Sequence, residues 1–171
     1  MSKAVMLSIR PKWGEKIANG EKTIEVRKTR PKLETPFKCY IYCTLPKYPH
    51  EDFIATDYPR PQFYGGGKVV GEFTCDRIYE FAPLNHAPDD VEKQACLTRE
   101  EIVNYLKGTG YGWHISGLLI YDQPQELSEF QRATDPCDSC HAEYTWECTD
   151  CKKLGGDIKR PPQSWCYVEE M

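Results

Sequence analysis

The chain has 171 residues, of which 40% are hydrophobic and 28% charged, with a formal net charge of −4. That balance gives one compact domain with a real core and room for a small appendage, and argues against a protein whose whole surface grips duplex DNA. No apolar run approaches the length of a bilayer span, and the amino terminus lacks the apolar centre of a signal peptide, so a cytoplasmic protein with no membrane partner is expected.

Taken in order, residues 4–9 form a short apolar run that reads as a buried strand. Pro11 suits the first turn of a helix, which runs to Asn19 and is closed by Gly20; Trp13 and Ile17 lie four apart and bury one side together. The segment Lys22-Thr23-Ile24-Glu25-Val26-Arg27-Lys28 then alternates. Ile24 and Val26 point one way, while Thr23, Glu25 and Arg27 point the other. A lysine at the strand entrance and opposite charges two residues apart converge on one small region, which makes this stretch the candidate binding surface. A solvated charged strand is the bland alternative. Lys12, Lys16, Arg30 and Lys32 add to the early cluster of basic residues.

Phe37 to Thr44 alternates again, with Phe37, Cys39, Ile41 and Cys43 on one face. Residues 45–66 are rich in proline and read as a long loop. Lys68 to Phe81 restores a strand, in which Gly71 predicts a bulge or bend. Thr98 followed by Glu101 is a capping box, and Ile102, Val103 and Leu106 are the expected buried stripe of the helix it opens. Residues 113–122 make a strand whose parity shifts at Gly117, and residues 164–168 a closing strand. The expected architecture is mixed α+β, mainly β: a small barrel with two short helices and a cysteine-rich insert. The barrel takes residues 1–130 and 161–171, and the insert residues 131–160.

Nine cysteines is an odd and high count. Cys39, Cys43, Cys75, Cys96 and Cys166 read as small core hydrophobes. Cys137-x-x-Cys140 and Cys148-x-x-Cys151 are two knuckles seven residues apart, suited to completing a tetrahedron of thiolates around one zinc ion. The surrounding segment lacks the apolar content to form a core, so the metal would supply its folding energy. Two disulfides in an exported protein, or four idle thiols, are the alternatives.

With Gly20, Lys22, Thr23, Ile24, Glu25 and Arg27 in place, the chain resembles the ASCH family, a branch of the PUA-like fold. The leading strand and helix from Met6 to Ile17, the Gly-Lys-Val-Val-Gly-Glu-Phe strand and the Trp-His-Ile-Ser strand are similar to the same pattern. The resemblance implies a small barrel with a cleft beside the first helix, and a ligand that is RNA or a modified nucleoside. Lys22, Arg27 and Lys28 would meet phosphate or an anionic edge, and Glu25 an exocyclic amine. Trp13, Trp113 and Trp165 are candidate stacking planes beside their role as core filler. His114 and Ser116, from the matched Trp-His-Ile-Ser strand, are further candidate ligand-binding residues. Some small relatives hydrolyse N4-acetylcytidine with a Lys, a Thr and a Glu. Lys22 falls on that lysine and Glu25 on the place of the threonine, with Thr23 adjacent. An amidohydrolase using Lys22, Thr23 and Glu25 is therefore the alternative to binding. A third reading is a protein-interaction module using the long loop and the insert.

Overall fold

A computed structural model describes residues 2–45, 66–81, 86–133 and 156–171. The element order is β1 (Lys3–Ile9), α1 (Pro11–Ala18), β2 (Ile24–Arg27), β3 (Phe37–Cys43), β4 (Lys68–Glu80), α2 (Val91–Ala95), α3 (Arg99–Leu106), β5 (Tyr111–Gln125), β6 (Gln131–Arg132), β7 (Gly156–Asp157) and β8 (Trp165–Glu169), with a 3₁₀ turn at Leu127–Glu129. The fold is mixed α+β and mainly β. Most of residues 45–66, and all four cysteines of the proposed zinc site, lie outside the described residues.

The strands form one eight-stranded sheet in the order β2-β5-β4-β3-β1-β8-β6-β7. This corrects the expected closed barrel: the sheet is open, with β2 and β7 as its two edges and no ladder joining them among the described residues. Curling is nevertheless strong. The register of β4 on β5 slips at three places, and the φ of +55° at Gly117 bends β5 within its length. At Gly71 a side chain would meet the Leu119 carbonyl oxygen at 2.4 Å, so only glycine permits this approach of β4 to β5. Curvature brings β2 back towards β1 and the start of β8, where the Arg27 side chain spans the gap through hydrogen bonds. A single guanidinium thus does part of what backbone pairing does in a closed barrel.

The sheet is covered on both faces. One core cluster takes Phe37, Cys39, Ile41 and Cys43 from β3 with Leu7, Ile9, Phe73 and Trp113. The opposite face of β3 is buried as well: Tyr40 and Tyr42 pack with Met6, Phe130, Ile158 and Val168. Tyr40 tolerates this because its hydroxyl accepts the Met171 N–H at 3.0 Å. Cys43 and Cys75 are buried, and desolvation pushes their thiols up to about 11 and about 12, respectively. Cys96 and Cys166 are only partly buried.

A third cluster joins the apolar side of β2 (Ile24, Val26) to Val91, Ala95, Ile102 and Leu106. Three helices are present among the described residues rather than two, because the segment ahead of Thr98 supplies the short α2. The capping box forms as expected, with the Glu101 N–H donating to Thr98 Oγ1 and the Thr98 N–H to Glu101 Oε2. Val103, however, is 53% exposed and leaves the stripe. An eight-residue helix on a small sheet needs only Ile102 and Leu106, one turn apart, to seat it.

Candidate functional site

The turn after α1 sets the site. Asn19 caps the helix, Gly20 takes a φ of +75°, and the Lys22 N–H returns to the Lys16 carbonyl at 3.0 Å. Lys22 is thereby carried under the helix and is 2% exposed. Its Nζ donates to the Ala95 carbonyl at 2.8 Å, at the end of α2 where free carbonyls favour a cation. The same nitrogen lies 3.4 Å from Glu25 Oε2 and 5.1 Å from the centre of the Trp13 ring.

Two residues along β2, alternation returns Arg27 to the same side as Glu25. Arg27 Nη2 pairs with Glu25 Oε1 at 2.9 Å and donates to the Ser8 carbonyl at 2.8 Å. Its Nη1 donates to the carbonyl and hydroxyl of Ser164, at 3.2 and 3.1 Å. Glu25 and Arg27 are each 7% exposed. Two cations and one carboxylate are thus held out of water, each charge balanced by backbone oxygens or by its neighbour. One positive charge is left over.

These side chains line a cleft of about 660 Å³, within the usual range for small-ligand sites. Trp13, Arg10 and Ser8 form one wall, Glu101 and Tyr105 of α3 another, and Pro161, Pro162 and Gln163 a third. The last wall is anchored where Ser8 Oγ donates to the Pro162 carbonyl at 2.6 Å. Three cations face two carboxylates here, so the cleft is net positive in a chain of net charge −4.

Of the residues singled out from the sequence, Lys22, Glu25, Arg27 and Trp13 come together in this cleft. Lys28 stands just outside it, with its Nζ 5.3 Å from the Tyr105 ring centre. Thr23 does not line the cleft; its hydroxyl lies 3.3 Å from Gln94 Oε1. His114 and Ser116 are also elsewhere. His114 pairs with Ile24 across β2–β5, on the opposite face from Glu25 and Trp113, and its Nδ1 lies 2.6 Å from Asp76 Oδ1. Burial alone would raise the Asp76 carboxyl, but hydrogen bonding to His114 and its charge outweigh this and hold it below its ordinary value. Ser116 donates to the Thr74 carbonyl. Trp113 is wholly buried, stacked edge-on against Phe37 and tilted against Trp165, as core filler. Among the described residues no group of three or more His, Cys, Asp or Glu is placed to hold a metal ion.

Arg10, Tyr105 and the Pro161–Gln163 wall are the components that sequence reasoning missed. Arg10 had a local signal, as the residue before the first helical proline; the other two are brought in only by the curl of the sheet.

The model of the ASCH domain matches residues 7–154. The chain belongs to the ASCH domain family. Members of this family are generally RNA-binding. Among solved structures, the ASCH protein from Zymomonas mobilis is similar at 16% identity and a TM-score of 0.60, covering 98% of this chain and 88% of that one. A tyrosine-to-phenylalanine mutant of the same Zymomonas mobilis protein gives 16% identity and a TM-score of 0.60 over 99% of this chain and 92% of that one. A serine-to-alanine mutant of it gives 15% and 0.59, over 98% and 89%. At such identities the likeness is one of fold. No curated protein matches this chain in sequence. Among the described residues no helix is long and apolar enough to cross a membrane.

Proposed function

We propose that the cleft around Lys22, Glu25 and Arg27 binds a nucleotide of RNA, or a modified nucleoside, through one base edge. The observation that carries this reading is the buried cation–anion–cation trio opening on a net-positive cleft. Of the three donors on Lys22, the Ala95 carbonyl takes one and Glu25 another, which leaves one for an acceptor on the ligand. Each Glu25 oxygen, engaged with one cation, keeps a lone pair for an exocyclic amine. Because these groups are fixed by backbone oxygens, the ligand meets a preorganised site. Hydrolysis of an acylated nucleoside would ask for a hydroxyl beside Lys22, and the Thr23 hydroxyl lies against Gln94 instead; the geometry therefore favours binding. The test is titration with nucleoside monophosphates while following the indole N–H signals of the four tryptophans by NMR. The Trp13 signal is expected to move most. Titration that leaves all four unmoved would reject the site.

The insert is proposed to hold one structural zinc ion on Cys137, Cys140, Cys148 and Cys151. Support comes from the paired spacing and from the acidic, apolar-poor surroundings in the sequence. One zinc per chain by elemental analysis is expected, and a folded protein without bound metal would end the idea. Five free thiols among the described residues suit a reducing compartment, and the proposed location is the cytoplasm.

A further inference from the structure

We propose that Tyr105 and Lys28 form an outer subsite for the nucleotide next to the one in the cleft, so that the partner is single-stranded RNA rather than a free nucleoside. This rests on reading the cleft as a nucleotide site.

Packing does not explain the position of Tyr105. Ile102 and Leu106 seat α3 against the core, whereas Tyr105 is 46% exposed. It stands one turn beyond Glu101, so both project along the same side of the helix, and both line the cleft. Val103 is also exposed but does not line it. The exposed aromatic of α3 is therefore at the mouth. Inside, Trp13 already has Lys12 Nζ at 4.9 Å and Lys22 Nζ at 5.1 Å from its ring centre. The cation over the Tyr105 ring is Lys28, which directly follows the strand that carries Glu25 and Arg27.

An exposed aromatic ring with an ammonium beside it fits a stacked base and the phosphate joined to it. Charge complementarity points to the same occupant. A neutral nucleoside would be served by the trio alone, yet Arg10 lines the cleft, and Lys12 and Lys28 are held over the rings of Trp13 and Tyr105. A positive zone that extends past the cleft on an acidic chain matches a polyanion that also extends past it. Stacking on Tyr105 is blind to base identity, so the outer subsite adds affinity and direction, and the cleft supplies selection.

The experiment compares two probes on the full chain: a fluorescent, mixed-sequence single-stranded RNA octamer and an equimolar mixture of the four nucleoside monophosphates. Tyr105→Ala is expected to weaken the octamer roughly tenfold and the monophosphates far less, with Tyr105→Phe restoring the octamer. Lys28→Ala is expected to weaken the octamer and lower the slope of log affinity against log salt by about 0.7. Should both alanine variants bind the octamer as the wild type does, the outer subsite is wrong and the cleft stands. The same holds if Tyr105→Ala weakens both probes equally, since the ring would then belong to the inner site. A wild type that binds neither probe removes the cleft reading along with this one. Where Tyr105→Ala proves poorly folded by circular dichroism, the exposed Lys28→Ala variant decides.

Discussion

The pairing of β2 with β5 carries charge on both faces, and the two faces behave oppositely. On one, Glu25 lies between Lys22 and Arg27, all three nearly stripped of water and tied to carbonyls of Ser8, Ala95 and Ser164. On the other, His114 and Asp76 form a shorter contact, 2.6 Å, with 31% and 46% of their side chains exposed. Distance alone would rank the second pair as the stronger. Burial reverses the order, because water screens the exposed pair, whereas the buried charges are balanced by one another and by those carbonyls in place of water. β2 thus contributes a preorganised electrostatic site on one side and the core residues Ile24 and Val26 on the other, while the exposed pair is carried by β5 and the β4 residue Asp76.

The comparison breaks most sharply at Glu25. Glu25→Ala leaves two buried cations facing each other and is expected to cost about 3–5 kcal/mol, read from the shift in a urea unfolding curve. A loss below about 1 kcal/mol would mean that the trio is hydrated after all. Next comes Arg27→Lys, which keeps the charge but gives up the fork that reaches Ser8, Ser164 and Glu25 together. A loss of about 1–3 kcal/mol is expected, with faster hydrogen exchange along β2 as the curl loosens. Equal stability of the lysine variant would show that Arg27 does not hold the sheet edge.

At the exposed His114–Asp76 pair the effects are small. His114→Ala is expected to change stability by no more than about 1 kcal/mol, and less at high salt. The Asp76 carboxyl is held below its ordinary value in the folded chain. Its contribution is therefore complete above the unfolded value of about 3.9 and fades as the pH falls through the lower folded value. The stability difference between wild type and Asp76→Asn is expected to shrink as the pH falls below about 4. A difference that does not change through that acid range would show that the folded chain does not hold the Asp76 carboxyl ionised.

Much of the site's inner part was legible because it is local. Asn19-Gly20 fixes where α1 ends, and period-two alternation then puts Glu25 and Arg27 on one side of β2. The same alternation failed for Thr23, because β2 begins only at Ile24 and the Thr23 N–H is taken by the Gln94 carbonyl. His114 and Ser116 were misplaced for a related reason. Which face of β5 lies inward is set by its register with β2 and β4, and that register is a property of the assembled sheet. The open edge was equally hidden. Whether a curled sheet closes by backbone pairing or by one arginine depends on distances between segments more than a hundred residues apart. Tyr105 and the Pro161–Gln163 wall are cleft residues only because of that curl.

The most direct test is binding of the RNA octamer to Lys22→Met, which keeps the aliphatic stem beside Trp13 and removes the charge while leaving Glu25 paired with Arg27. The expected result is a loss of affinity of at least about tenfold, for octamer and monophosphates alike, with an unfolding midpoint disturbed far less than by Glu25→Ala. A folded Lys22→Met protein that binds both probes as tightly as the wild type would contradict the assignment of the cleft.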